Sequence, residues 1–106
     1  MLGEISVEEL AAWRVEEREF VLLDVREPGE VRVASIPGSR FMPMREVPAR
    51  ARELPKDRPI AVLCHHGGRS ERVAQFLAAQ GFTHVVNVCG GIDAYAWRID
   101  PAIPRY

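Results

Sequence analysis

Ile60-Ala-Val-Leu-Cys64-His-His-Gly-Gly-Arg69-Ser70 is the stretch that decides how this chain is read. The unbroken apolar run Ile60 to Leu63 has the composition of a strand covered on both faces, and it ends on a cysteine that opens a short glycine-containing loop. Arg69 and Ser70 begin a helical pattern in which Val73, Phe76 and Leu77 share one face and Gly81 is the stop. So tight a turn aims successive backbone N–H groups inward, and the helix behind it adds its positive dipole end. A sulfur at the rim of such a nest is expected as the thiolate, the nucleophilic form. The arrangement suits covalent chemistry on a small anionic substrate.

Outward from this loop, strand-like and helix-like segments alternate, which argues for an α/β sandwich around a mostly parallel sheet. Ser6-Val-Glu-Glu9 is a capping-box pattern, with Val7, Leu10 and Ala11 on one helical face. Phe20-Val-Leu-Leu-Asp24 reads as a buried strand, Pro28 opens a short helix carrying Glu30 to Val33, and Pro37-Gly38 turns the chain before a short strand around Arg40 and Phe41. Pro48 is expected to open another helix, with Val47, Ala51 and Leu54 on one side and Pro55 ending it. Val85-Val86-Asn87-Val88 is the last strand, and Gly90-Gly91 leads into a short helix near Ala94 to Trp97. In a parallel sheet Asp24, Cys64 and Cys89 all fall at carboxyl ends of strands, the edge where open α/β folds place their ligands.

Composition narrows the classes. A chain of 106 residues, 47% hydrophobic and 27% charged, suits one compact globular domain spanning residues 1–106. The net charge of −1 gives no support for nucleic-acid binding or a polybasic membrane contact. Lys56 is the single lysine, every other basic residue being arginine. Met1-Leu-Gly-Glu4 lacks the basic-then-apolar pattern of a secretory signal, and no apolar run approaches the length of a membrane span. A cytoplasmic location is the expectation, with the two cysteines as reactive or buried thiols and not a disulfide framework.

With these residues in view, the chain resembles the single-domain rhodaneses, a family of sulfurtransferases. The likeness runs nearly end to end, through Leu22-Leu-Asp-Val-Arg26-Glu-Pro28, Ile36-Pro-Gly38, the Cys64 to Ser70 loop, Gly90-Gly-Ile92 and the closing Ile103-Pro-Arg-Tyr106. It implies an α/β fold of roughly five mostly parallel strands flanked by helices. It further implies that Cys64 carries sulfur as a persulfide and that His65, His66, Gly67, Gly68, Arg69 and Ser70 wrap it. Phosphatases and arsenate reductases of the same fold have one more residue between cysteine and arginine, so the shorter spacing from Cys64 to Arg69 points to sulfur transfer. The chain departs from the family pattern in having Ala34-Ser35 where many relatives have Gly-His, and Tyr95 where many have Trp.

The reaction so implied is a double displacement. Cys64 takes sulfane sulfur from a thiosulfate-like donor and hands it to a thiol, cyanide or a sulfur-carrier protein, with no metal or other cofactor. A non-catalytic binding module is the main alternative. Arg69 has two readings, steering an oxyanion donor or making a structural ion pair. Asp24 and Arg26 are expected to tie the loop after their strand, and Ser70 to hydrogen-bond at the helix start. Adjacent histidines such as His65 and His66 do not readily converge on one tetrahedral ion, so they are expected to shape the pocket. Cys89 invites a resolving role, but cysteine is among the most buried residue types, and core is the expectation. Trp13, Tyr95 and Trp97 are read as core and rim packing, the arginines at 45, 50 and 52 as a solvated face, and Pro101 to Tyr106 as a tail along the surface.

Overall fold

The computed structural model describes residues 2–106, Leu2 by its backbone alone. Strands and helices alternate along the chain as β1 (Leu2–Ile5), α1 (Val7–Val15), β2 (Val21–Asp24), α2 (Pro28–Val33), β3 (Arg40–Phe41), α3 (Val47–Arg50), β4 (Ile60–Leu63), α4 (Gly68–Ala79), β5 (Val85–Val88) and α5 (Gly91–Arg98). They build one five-stranded sheet in the order β1-β5-β4-β2-β3, with every pairing parallel. The mixed α/β class and the strand number expected from the sequence are what the structure has. Among the described residues no helix is long and apolar enough to cross a membrane.

The alternation of side chains along β4 divides the core. Ala61 and Leu63 join Leu10, Trp13, Leu22 and Ile92 on one face, while Ile60 and Val62 join Leu23, Val25, Val73 and Leu77 on the other. Both β4 and β5 are buried along their whole length, as a parallel sheet covered by helices on two sides requires. α1 starts on the capping box read from the sequence: the Glu9 N–H donates to Ser6 Oγ at 3.0 Å, and the Ser6 N–H donates to Glu9 Oε1 at 3.1 Å.

Two elements differ from the sequence reading. The helix expected from Pro48 to Leu54 is broken into a 3-10 turn at Met44–Glu46, the single turn α3, and a second 3-10 turn at Ala51–Glu53. Pro43, Pro48 and Pro55 confine it, since each proline removes one backbone donor. β1 was not announced by its own pattern, because Gly3 and Glu4 interrupt the apolar run; its pairing with β5 makes it a strand. The parallel topology then puts Asp24, Cys64 and Cys89 just at or past the carboxyl ends of β2, β4 and β5, on one edge of the sheet.

Candidate active site around Cys64

Cys64 follows β4 and is buried, 1% exposed. Its sulfur receives the Gly67 N–H at 3.0 Å and lies 3.2 Å from Ser70 Oγ. Gly67 adopts φ +116°, a conformation that favours glycine, and caps α4 so that the chain doubles back over the sulfur. The N–H groups of Gly68, Arg69 and Ser70 occupy the first turn of α4, where no intrahelical acceptor exists. Of the nest expected from the sequence, the Gly67 N–H is the backbone donor seen on the sulfur, at the start of α4.

The back of the loop is bolted to α5. The Ile92 N–H donates to the Cys64 carbonyl at 2.9 Å and the Asp93 N–H to the His65 carbonyl at 3.1 Å. These bonds turn the loop carbonyls away from the sulfur, using donors that a helix N-terminus leaves free. The contact is so close that a Cβ on Gly91, at φ +59°, would stand 2.4 Å from both carbonyl oxygens. The second Gly-Gly pair thus serves the first loop, a role that sequence reasoning missed.

Arg69 does not stand free. It grips Glu30 of α2 through two hydrogen bonds of 2.7 and 2.8 Å, and Tyr106 Oη donates to the same carboxylate at 3.0 Å. Arg69 holds the Glu30 carboxyl down to about 2 against burial, which raises it, with smaller help from the Glu27 N–H and the Tyr106 hydroxyl. Arg69 is itself pushed above its ordinary value by Glu30. Of the two readings of Arg69, the ion pair is the one the geometry displays. Asp24 and Arg26 are fully buried partners: Arg26 Nη2 lies 2.6 Å from Asp24 Oδ2 and 2.7 Å from the Ala34 carbonyl, and Nη1 reaches Tyr106 Oη at 2.9 Å. Burial pulls the Arg26 pKa down, and the bonds to Asp24 and Tyr106 more than offset it. These two residues tie the segment from β2 through α2, as expected.

The last residues lie along the surface as expected, exposed except for Ile103, but Tyr106 also covers the loop. The Tyr106 ring stacks on His65 at 3.9 Å between centroids with planes 7° apart, and Ile103 is buried in the core. His65 is in turn 3.9 Å from the His66 ring. Burial, followed by the neighbouring His66, lowers the His65 pKa, which favours the neutral imidazole near pH 7. Its Nε2 is buried without a hydrogen-bond partner. His66 is exposed, 3.9 Å from Asp93.

His65, His66 and Asp93 bring one potential ligand atom each within 4.8 Å of one another. Contrary to the expectation, the adjacent histidines do converge here. The two rings are tilted by 31° with centroids 3.9 Å apart, and Asp93 is already paired with Arg105 at 2.9 and 3.1 Å. An open cavity of about 330 Å³ is lined by Cys64, His65, His66, Gly68, Arg69 and Arg72.

Three other expectations need correction or refinement. Cys89 is exposed, not core: it lies beyond β5 at the sheet edge, where its thiol donates to Glu4 Oε2 at 2.7 Å. That hydrogen bond first, then burial, pushes its pKa up to about 11, so the acceptor keeps it protonated. Trp97 is exposed, whereas Trp13 and Tyr95 are buried. Asn87 was not singled out, although a lone amide in the apolar strand Val85-Val86-Asn87-Val88 was the available signal. It is buried under the loop, with Oδ1 2.5 Å from Ser70 Oγ and Nδ2 donating to the Gly67 carbonyl at 3.2 Å.

Fold and loop together define a class, the parallel α/β domains in which a strand-end cysteine is wrapped by a short glycine loop running into a helix. Within it, the chain belongs to the rhodanese-like domain family, whose model matches residues 6–97. It is 41% identical over 111 residues to the rhodanese-like/PpiC domain-containing protein 12, chloroplastic, of Arabidopsis thaliana, matching 97% of this chain but spanning only 37% of that protein. It is 36% identical over 96 residues to a sulfurtransferase of Allochromatium vinosum, covering 91% of this chain and 90% of the relative. A crystal structure from Staphylococcus saprophyticus superposes with a TM-score of 0.85 at 29% identity, over 96% of this chain and 98% of that one.

Proposed function

We propose that residues 1–106 act as a single sulfurtransferase domain in the cytoplasm, with Cys64 as the catalytic nucleophile. In the first step the Cys64 thiolate attacks the sulfane sulfur of a thiosulfate-like donor. A sulfur–sulfur bond forms to Cys64, the donor's sulfur–sulfur bond breaks, and sulfite leaves with the bonding pair. The persulfide's charge rests on its terminal sulfur, facing the loop formed by His65, His66, Gly67, Gly68, Arg69 and Ser70. A thiol, cyanide or a sulfur-carrier protein then attacks that terminal sulfur, and the Cys64 thiolate is regenerated.

The observation that carries this reading is the Gly67 N–H at 3.0 Å from the sulfur, at the N-terminal cap of α4. The name of the Allochromatium relative agrees with it. The family's shorter spacing from Cys64 to Arg69 favours a single added sulfur over a phosphoryl group, which brings several oxygens around a larger centre. Even ~1 Å of misplacement can cost about 10²-fold in rate.

Thiocyanate formation from thiosulfate and cyanide, measured beside aryl-phosphate hydrolysis, tests the reading. Sulfur transfer without phosphatase activity, lost in Cys64→Ser, is the expected result. Phosphate hydrolysis that equals or exceeds sulfur transfer and depends on Cys64 would assign the loop to phosphoryl chemistry. Neither activity, with a folded protein, would leave the non-catalytic binding module.

A further inference from the structure

Ser70 has one hydroxyl proton and three acceptors in reach: Asn87 Oδ1 at 2.5 Å, Cys64 Sγ at 3.2 Å and the Gly67 carbonyl at 3.2 Å. Ser70 is wholly buried and Asn87 is 4% exposed, so the hydroxyl must choose among protein groups. The Gly67 carbonyl already takes the Glu71 N–H and Asn87 Nδ2, both at 3.2 Å, which fills its two lone pairs. The same bond orients the amide. A carbonyl can only accept, so the Asn87 nitrogen faces Gly67 and its oxygen faces Ser70. Two oxygens 2.5 Å apart need a proton between them, and the amide oxygen has none to offer. The Ser70 proton therefore points to Asn87, and Ser70 turns a lone pair toward the Cys64 sulfur.

We propose that Asn87 is a positioning residue that withholds the Ser70 proton from Cys64, leaving the backbone N–H groups as the donors to the thiolate. A lone pair facing the sulfur suits a thiol and opposes a thiolate. It does not oppose a persulfide in the same way, since Sγ is then bonded and uncharged and the negative charge lies one atom further into the loop. The clamp thus weighs against the sulfur-free anion and leaves the sulfur-loaded form untouched. The part concerning the persulfide rests on the sulfurtransferase reading; the direction of the Ser70 proton does not.

The pH dependence of iodoacetamide reaction at Cys64 tests the clamp without requiring sulfur transfer, with Cys89→Ser as the background. In Ser70→Ala the inflection stays in place or moves to lower pH, because no donor to the thiolate is lost. Asn87→Leu leaves the hydroxyl two acceptors, the sulfur and the lone pair vacated on the Gly67 carbonyl. Once Cys64 ionises the charged sulfur is the stronger acceptor, and the inflection falls by up to about one unit, tenfold in ionisation. In the double variant Asn87→Leu with Ser70→Ala, that further fall is absent. An inflection that rises in Ser70→Ala would show the hydroxyl donating to the thiolate and overturn the proposal, even if the Asn87 variant does not fold. An Asn87→Leu effect equal with and without the Ser70 hydroxyl, or no effect in a folded Asn87→Leu protein, would reduce Asn87 to a prop for Gly67. A protein that passes these tests yet carries no sulfur would refute the proposed function and leave the clamp standing.

Discussion

Two segments of this chain are written in the same local grammar, a buried strand, a cysteine, paired glycines and a helix, yet they do opposite things. After β4, two histidines separate Cys64 from Gly67-Gly68; the chain doubles back, and the Gly67 N–H reaches the cysteine's own sulfur. After β5, Gly90-Gly91 follows Cys89 at once, and the first N–H groups of α5 turn to the carbonyls of the other loop. One helix N-terminus faces a sulfur, and the other braces the loop that holds that sulfur. The two thiols differ accordingly. Cys64 is buried and receives the Gly67 N–H, while Cys89 is exposed and donates a hydrogen bond to Glu4. Exposure alone does not make a cysteine reactive; the partners of its sulfur decide.

The harshest way to break the comparison is to exchange the roles of the two thiols. Cys64→Ser is expected to reduce thiosulfate turnover to the uncatalysed background, whereas Cys89→Ser keeps it within about twofold of native, since surface changes are nearly neutral. Steady-state thiocyanate assays of both variants read the difference.

The glycines should part next. A Cβ on Gly91 would collide with two carbonyl oxygens at 2.4 Å in a backbone conformation L-residues avoid, whereas one on Gly68 meets nothing within 4 Å. Gly91→Ala is expected to lose ~3 kcal/mol from strain and overpacking together, and Gly68→Ala to stay within about 1 kcal/mol of native. Denaturant midpoints compare them.

A smaller effect concerns Cys89. Glu4→Gln removes the acceptor charge that keeps this thiol protonated near a pKa of about 11. Its alkylation rate at pH 8 is expected to rise about tenfold, one unit of pKa, while that of Cys64 is unchanged. Peptide mapping with labelled iodoacetamide separates the two sites.

The smallest effect lies in the Arg69–Glu30 pair that holds the start of α4. Glu30 is depressed from the ordinary 4.5 to about 2 in the folded protein. A depressed carboxyl stabilises fully above its unfolded value and loses that contribution as pH falls toward the folded one. Arg69→Leu should therefore be less stable than native above pH ~5, by about 1 kcal/mol or less for a half-exposed pair, with the gap closing toward pH ~2. Thermal midpoints at several pH values follow it.

Much of the fold was legible because its signals are local. The apolar runs of β2, β4 and β5, the Ser6 capping box, the turn at Pro37-Gly38 and the glycine before α4 each act within a few residues. Cys64 and its loop were legible for the same reason, since strand, turn and helix are contiguous. The missing pieces are tertiary. Glu30 meets Arg69, Tyr106 covers His65, and Gly91 approaches Cys64 only after the sheet has ordered β2, β4 and β5 side by side. Cys89 was misplaced because the general burial of cysteine outweighed its position, one residue past a strand end and within hydrogen-bond reach of Glu4 on β1. Asn87 alone could have been found, as an amide in an apolar strand has to satisfy its polar atoms somewhere.

The most direct measurement weighs the intact protein after incubation with thiosulfate and desalting, then maps the modified peptide. The expected result is one added sulfur atom on Cys64, removed by cyanide as thiocyanate and absent in Cys64→Ser, with Cys89 unmodified. A folded native protein that gains no sulfur, or gains it on Cys89, would contradict the assignment of Cys64 as the sulfur-carrying nucleophile.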